Sequence, residues 1–233
     1  MFNYIGLDIS LNSTAVYINS NKGEKILSFT NKKDNNIYIK SLDECGVKFF
    51  HNNRDDSSKD YSENEISKLK HYTKISDIFI NEVSRYIDNT EKTYCQIEGY
   101  SFSKNTSSIL DIVGLSTLIR KNLLNINDIE ITIISPKSLK LESCKICYEP
   151  INVGKKKPKY EFRNNQGISG GSFKKPQMFR AMLDGNINSP ISSFLFTHRD
   201  LMEREKIPNP IEDIIDSIFC AKIKIKEIEN DIR

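Results

Sequence analysis

Short apolar runs alternate with polar turns in the first thirty residues. Residues 2–9, Thr14–Asn19 and Lys25–Thr30 are rich in β-branched and aromatic residues, and Asn21-Lys22-Gly23 separates the last two. Such runs, bounded by Asn and Gly, are typical of strands joined by tight turns. The pattern therefore predicts a three-stranded antiparallel meander.

Helical periodicity begins after a polar stretch. Residues 31–62 are rich in Asn, Asp, Lys and Ser, and we interpret them as a polar insertion or long loop, with Ile37–Ile39 considered as a short strand. From Glu63 to Ile87, apolar residues recur at three- and four-residue spacing, which predicts an amphipathic helix. Ser62 and Glu65 resemble a capping box at its start.

Strands and helices alternate in the rest of the chain. The predicted elements are a strand at Tyr94–Glu98, a helix at about 107–124, a strand at Ile129–Ile134, and helices at Pro176–Leu183 and Ile211–Ile228. Residues 142–172, rich in Cys, Pro, Lys and Gly, are interpreted as a loop insertion. A meander followed by strand–helix alternation predicts one α/β domain over residues 1–233, with helices on both faces of a mixed sheet.

Composition is typical of a soluble globular protein and predicts no membrane-spanning segment. Apolar residues make up 38% and charged residues 28% of the 233 positions, and no apolar run approaches the roughly 20 residues that cross a bilayer. No basic residue precedes the first apolar run, so we expect no signal peptide. Five cysteines without a disulfide framework favour the reducing interior of a cell.

Charge alone does not predict a nucleic-acid-binding protein, because the net charge is only +3. Positive residues are nevertheless concentrated at Lys155–Lys159 and at Lys174-Lys175. Such runs are found both in solvated loops and on phosphate-binding surfaces. Both interpretations stay open at this point.

Four acidic residues occupy positions where α/β folds place their sites. Asp8 and Glu98 end predicted strands directly after apolar residues, where an unpaired carboxylate is costly. Asp213 and Asp216 lie three residues apart, and therefore on one face of the last helix. Carboxylates that converge at strand ends repel each other unless cations lie among them, and oxygen ligands favour Mg²⁺ or Mn²⁺. Taken singly, each acid could equally be a turn residue or part of a solvated helix face.

The motifs around these acids resemble RuvC-type Holliday junction resolvases of the RNase H-like superfamily. The resemblance rests on Ile5–Ser10 with Ser13-Thr14-Ala15, on Ile97-Glu98 with Phe102–Asn105, and on Asp213–Ser217. Two further segments, Pro136–Lys140 and Lys175–Met178, are similar to the viral and phage branch. The resemblance extends from Met1 to about Ile225, and departs from the family at residues 31–62 and 142–172.

This resemblance implies a fold, an activity and a partner. The fold would be an RNase H-like mixed five-stranded sheet, and the activity Mg²⁺-dependent endonucleolytic resolution of four-way or branched DNA junctions in a bacterial or virus-infected cell. Two Mg²⁺ ions, replaceable by Mn²⁺, would be bound by Asp8, Glu98, Asp213 and Asp216. Family members act as homodimers, and the apolar helix Ile109–Leu124 is either the subunit contact or simply buried under the sheet.

Candidate DNA-binding residues surround the predicted metal site. Tyr100 and Phe102 could stack on an unpaired base, or could pack in the core. Ser10 and Asn12 could line the metal site or hold a phosphate, and Lys104 is a further candidate for DNA binding. Phosphate contacts without base recognition are expected from four lysines that flank the strand ends: Lys137, Lys140, Lys174 and Lys175.

Other functions share parts of this pattern. Actin-like and sugar-kinase ATP-binding proteins open with a similar strand, but Ser10 replaces their glycine, and Gly170-Gly171 follows no predicted strand. RNase H-like nucleases acting on RNA–DNA hybrids or flaps would use the same acids. A non-catalytic DNA-binding protein with a decayed site would have no need of all four.

A zinc site is a separate possibility. Cys144 and Cys147 form a Cys-x-x-Cys pair, which is half of a structural zinc site. Only a tertiary contact with Cys45, His51 or His71 could complete it, and the alternative is an incidental pair in a loop.

Overall fold

Eight strands and seven α-helices are present in the described part of a computed structural model, residues 2–33, 36–54, 60–100, 106–149, 151–152, 154, 160–161, 173–204 and 206–232. The strands are β1 Asn3–Asp8, β2 Ser13–Ser20, β3 Gly23–Thr30, β4 Lys48–His51, β5 Thr93–Glu98, β6 Ile129–Ile134, β7 Ile151–Asn152 and β8 Tyr160–Glu161. The helices are α1 Ile37–Glu44, α2 Tyr61–Tyr86, α3 Thr106–Leu123, α4 Pro136–Cys147, α5 Lys175–Leu183, α6 Ser192–Thr197 and α7 Ile211–Ile232, with a 3₁₀ turn at Arg199–Glu203.

A six-stranded mixed sheet in the order β4-β3-β2-β1-β5-β6 forms the centre of the fold. Strands β1, β2 and β3 make the predicted antiparallel meander, while β5 pairs in parallel with β1 and β6 in parallel with β5. The predicted mixed sheet is thereby confirmed. It has one strand more than expected, because β4 pairs in parallel with β3 at the edge.

Two hydrophobic cores lie on opposite faces of this sheet. Along β2, Val16 and Ile18 belong to the core covered by α2 and α3, whereas Ala15 and Tyr17 belong to the core covered by α4, α5 and α7. This alternation follows from the two-residue side-chain period of a strand. Helices therefore cover both faces, as the pattern predicts.

The polar stretch before α2 contains regular structure that its composition does not predict. Ile37–Ile39 is the first turn of α1, so the strand considered there is wrong. The side chain of Asn36 caps this helix by accepting two backbone N–H bonds from that turn, at 2.9 and 3.4 Å. At the next helix the cap is Asp60 rather than Ser62, since its carboxylate accepts the Glu63 amide at 3.0 Å.

Helix α4 begins directly after β6. Ser135 caps it, with its hydroxyl accepting the Ser138 amide at 3.1 Å, and Pro136 occupies the first turn. The Ser-Pro pair thus ends a strand and starts a helix, which the sequence interpretation missed. Residues 142–147 are consequently helical and not the start of a loop, while Lys155–Lys159 and Gly170-Gly171 lie outside the described residues.

The cysteines and helices set two further limits. All five cysteines are free, and none of the described helices combines the length and apolar character needed to span a bilayer. Within the described residues, no third metal-ligating side chain joins Cys144 and Cys147. Two residues considered for completing a zinc site contact other groups, Cys45 the Ser193 hydroxyl and His71 the Asn52 amide.

Candidate metal centre

Asp8 and Glu98 emerge side by side at one edge of the sheet. Each is the last residue of its strand, and the two strands run parallel with Leu7 paired to Ile97. Because parallel neighbours end at the same edge, the register alone brings these two carboxylates together. The buried apolar pair that precedes them fixes the strand positions.

Helix α7 lies directly on β1 above these strand ends. A Cβ added to Gly6 would lie 2.5 Å from the Ala221 amide nitrogen and closer still to the Ser217 carbonyl oxygen. The missing side chain therefore allows backbone-to-backbone approach of the helix and the strand. This approach places the inward face of the first turns of α7, with Asp213 and Asp216, over the strand ends.

Three of the four predicted acids meet at ligand distance. One carboxylate oxygen each from Asp8, Glu98 and Asp216 lies within 4.8 Å of the others. Asp213 is adjacent, since its side chain interacts with that of Asp8. Asp8, Asp213 and Asp216 are only 9%, 6% and 2% exposed. The structure thus brings together all four acids that the sequence singled out.

Burial raises the pKa values of these carboxyl groups. Desolvation, followed by the negative charges of Asp213 and Glu98, holds the pKa of Asp8 well above its usual range. Burial also raises the pKa of Asp213 to about 7. For Glu98, burial raises the pKa although Lys175 and Lys140 oppose the shift. Clustered acids with raised pKa values mark a site that is unfavourable in its fully ionised form without added cations.

Two carboxylate oxygens of this cluster accept no hydrogen bond from the described groups and are therefore available to bind a divalent cation. Asp213 Oδ2 and Asp216 Oδ1 are buried and have no hydrogen-bond donor among the described groups. Buried acceptors without donors are costly, and an oxygen-ligated cation would satisfy them. Lys175, whose side chain is 13% exposed, forms an ion pair with Asp216 and is a positive charge within the cluster.

The carboxylates open into a cleft of about 400 Å³. Predicted DNA-binding residues on its wall are Ser10, Asn12, Tyr100, Lys140 and Lys175. Lys137 and Lys174 are not part of this wall, and Phe102 and Lys104 lie outside the described residues. The wall also contains residues that the sequence interpretation missed: Lys206, Asn209 and Glu212 from the start of α7 and the segment before it, and Ile109 and Ile112 from α3. Among these missed residues, Glu212 is the one that the sequence could have indicated, because it directly precedes Asp213.

Two of the wall residues have specific local partners. The Ser10 hydroxyl donates to the Ser13 carbonyl at 2.8 Å and accepts the Ser13 amide at 3.1 Å, so it shapes the turn between β1 and β2. The Tyr100 ring lies 5.0 Å from the Arg120 guanidinium carbon. This cation–π contact holds the partly buried ring at the cleft wall, outside both hydrophobic cores.

Comparisons with known proteins show a likeness of fold. No protein-family model matches the chain, and no curated protein shows significant similarity to it. Among solved structures, Thermus thermophilus RuvC in complex with a Holliday junction substrate has a TM-score of 0.47 and 6% identity, over 98% of this chain and 96% of that one. A second Thermus thermophilus RuvC structure gives 0.46 and 8%, over 99% and 97%. The yeast mitochondrial Holliday junction resolvase Ydc2 gives 0.47 and 12%, over 97% and 81%.

These solved structures are Holliday junction resolvases, the class of protein that the motifs resemble. At these identities and TM-scores, the likeness concerns the fold and supports no conclusion about activity. Function is therefore inferred from the side chains of the cleft.

Proposed function

We propose that this protein is a divalent-metal-dependent endonuclease that resolves branched DNA, with four-way junctions as its principal substrate. The observation that carries the proposal is the convergence of carboxylate oxygens from Asp8, Glu98 and Asp216 within 4.8 Å at the strand ends. Their burial and the buried acceptors left without donors favour an ion-binding role over a solvated acidic surface.

The residues that would hold the metal are Asp8, Glu98, Asp213 and Asp216. Two Mg²⁺ ions, for which Mn²⁺ can substitute, would lower the pKa of an attacking water and stabilise charge on the leaving oxygen of the phosphodiester. The carboxylate ligands are held in place because the strand ends and the helix packed on β1 fix the backbones of these residues.

The basic residues of the cleft would place the phosphate. Lys140 and Lys175 both act electrostatically on Glu98, so a phosphate beside the carboxylates would lie close to both cations. Lys206 lines the same cleft. Lysines hold a phosphate as point charges without reading bases, which fits selection of DNA shape over sequence.

A branched substrate also exposes bases at its crossover. Tyr100 presents an aromatic ring at the cleft wall, and the Arg120 guanidinium lies against that ring. Stacking on an unpaired base contributes about 1–3 kcal/mol in single-stranded DNA recognition. This ring is therefore the candidate contact for an unstacked base at the junction.

Several finer features remain predictions. Leu110 on α3 is 68% exposed and Val113 of the same helix is also exposed, which supports α3 as the subunit contact of a homodimer. The inward face of this helix is buried, as Leu115 and Ile119 show, so burial and dimerisation concern different faces. The viral and phage branch and an intracellular location are expectations from the motifs and from the cysteines.

The test compares cleavage of four-way junction, flap, duplex and RNA–DNA hybrid substrates, with Mg²⁺ and with EDTA. Paired symmetric nicks on the junction, absent with EDTA and in Asp8→Asn, are the expected result. Asp43→Asn, which removes an exposed acid on α1, is the matched control and should cut normally. Preferential cutting of the hybrid or the flap would show that one of these, and not the junction, is the principal substrate. ATP hydrolysis without cutting would overturn the nuclease proposal.

A further inference from the structure

A polar groove continues from the metal cleft toward the start of α2. Leu11 and Asn12 line both the cleft and the beginning of this groove. Farther out, Arg54 and His71 line two adjoining stretches of it. We call this surface the α2 groove, defined by Asn12, Asn52, Arg54, Lys68, Lys70 and Lys74.

Residues 52–54, which follow β4, form one wall of the α2 groove and are tied to the loop beside the metal cleft. Asn52 is buried, and its amide nitrogen donates to the Leu11 carbonyl at 3.0 Å. Its amide oxygen lies 2.8 Å from the His71 ring nitrogen on α2. Its backbone N–H donates to the Thr30 carbonyl at 2.9 Å. Asn52 therefore ties the end of β4 to α2 and to the loop that follows Asp8.

Positive charge dominates the outer half of this groove. Arg54, Lys70 and Lys74 line it together, and among the described residues of this lining Glu63 is the single acid. Lys70 and Lys74 are exposed and one helical turn apart, so they point to the same side of α2. Lys68 is different, because it forms ion pairs with Glu65 at 2.9 Å and Asp111 at 3.1 Å and thereby links α2 to α3.

The inner half of the groove offers neutral hydrogen-bonding groups. Asn12, Asn31 and Asn53 line it, and Asn31 donates to Asn12 at 3.1 Å. Amide side chains beside lysines and an arginine suit phosphate and sugar oxygens, whereas an apolar partner would find little to bury. The charge and the hydrogen-bonding groups thus fit a nucleic-acid backbone.

We propose that the α2 groove binds the phosphate backbone of the duplex arm that leads away from the scissile phosphate. This inference rests on the proposed function, since the groove starts where the cleft ends. It assigns a role to β4 and the residues after it, which the sequence interpretation treated as a polar insertion. Lys70 and Lys74 supply sequence-independent affinity, and Asn52 is a positioning residue.

The experiment measures junction binding with Ca²⁺ in place of Mg²⁺, across a salt series, for wild type and for Lys70→Gln/Lys74→Gln. The slope of log K against log salt is negative, and each lost phosphate contact reduces its magnitude by about 0.9. We expect this magnitude to fall by about 2 and affinity at 0.1 M salt to fall by about tenfold or more.

The matched control is Lys121→Gln/Lys226→Gln, which removes two exposed lysines outside the groove. Equal salt slopes for both double variants would overturn the groove proposal even if the wild type cuts junctions. The proposed nuclease function fails by a different result, namely a wild type that binds junctions but never cuts them with Mg²⁺ or Mn²⁺. In that case a smaller slope for Lys70→Gln/Lys74→Gln alone would still identify the groove as a DNA-binding surface.

Discussion

Gly6 of β1 lies against the backbone of Ser217 in α7, with no room between them for a methyl group. This contact sets the height of α7 above the strand that ends in Asp8. Because Asp213 and Asp216 lie within about one turn of Ser217 on the same helix, the contact also sets their positions. The acidic cluster therefore depends on a residue that carries no chemistry.

We expect Gly6→Ala to push α7 off β1. Overpacking of this kind typically costs about 1–3 kcal/mol of unfolding free energy, and more where backbone must move. Metal-dependent cleavage should fall by a larger factor than stability predicts, since ligand geometry changes first. Denaturant unfolding and junction cleavage on the same preparation check both parts.

Gly114→Ala is the matched control for that substitution. Its added Cβ would meet only the Tyr72 ring at 3.7–3.8 Å, which is ordinary van der Waals contact. Since Gly114 is inside a helix, alanine should raise stability by about 0.5–1 kcal/mol. Equal effects of the two substitutions would contradict the close approach of α7 to β1.

Asp216→Asn should separate DNA binding from cleavage. The amide keeps the shape of the side chain and removes the charge that faces Asp8, Glu98 and Lys175. We expect junction affinity to stay within about threefold of wild type while cleavage falls by about 100-fold or more. Loss of the folded state, measured by circular dichroism, would instead mean that Asp216 is a structural residue.

The stability of the metal-free protein should depend on the ionisation of Asp213. Its pKa is about 7 in the folded protein, against 3.8 for an ordinary aspartate. Between these values the folded state holds a proton that the unfolded chain has released, so this group lowers stability as pH rises from about 4 to 7. The loss of unfolding free energy across this pH range should be on the order of a few kcal/mol, at about 1.4 kcal/mol for each pKa unit.

Thermal unfolding in EDTA at several pH values tests this linkage. Wild type should lose stability relative to Asp213→Asn as pH rises, because asparagine cannot ionise. Mg²⁺ added at pH 8 should restore wild type more than the variant, since the ion binds the folded state. Parallel pH profiles for the two proteins would show that Asp213 titrates normally.

Lys175 should stabilise the cluster when no metal is present. Its charge opposes the raised pKa values of Asp8, Glu98 and Asp213, and it pairs directly with Asp216. We expect Lys175→Met to lower the unfolding free energy at pH 8 in EDTA by about 3 kcal/mol, because it leaves buried charge uncompensated. The shift in melting temperature on adding Mg²⁺ should be larger than for wild type.

Lys174→Met provides the comparison, since this neighbouring lysine is exposed and is not part of the cleft wall. Its melting temperature in EDTA should stay close to that of wild type. Equal destabilisation by both substitutions would place the effect in α5 and not in the acidic cluster.

Local pattern was sufficient for much of the fold. The meander, α2, β5, α3, β6, α5 and α7 follow from side-chain periods of two and 3.6 residues, which are properties of the chain itself. The hydrophobic pattern did not predict elements that contain few apolar residues. Strand β4 has four residues, and α1 has two buried positions, Ile39 and Leu42, so neither stands out from a polar segment.

The sequence by itself determined the identities and the order of the acids: two at strand ends and two on one face of the last helix. Those facts need only local structure, and they were enough to predict a metal site at one sheet edge. Tertiary structure decided which oxygens lie within 4.8 Å of each other, that Lys175 reaches Asp216, and that the residues after β4 extend the cleft along α2. Contacts between residues far apart in the chain depend on how closely helices pack on strands, and here the absence of a side chain at Gly6 set that distance.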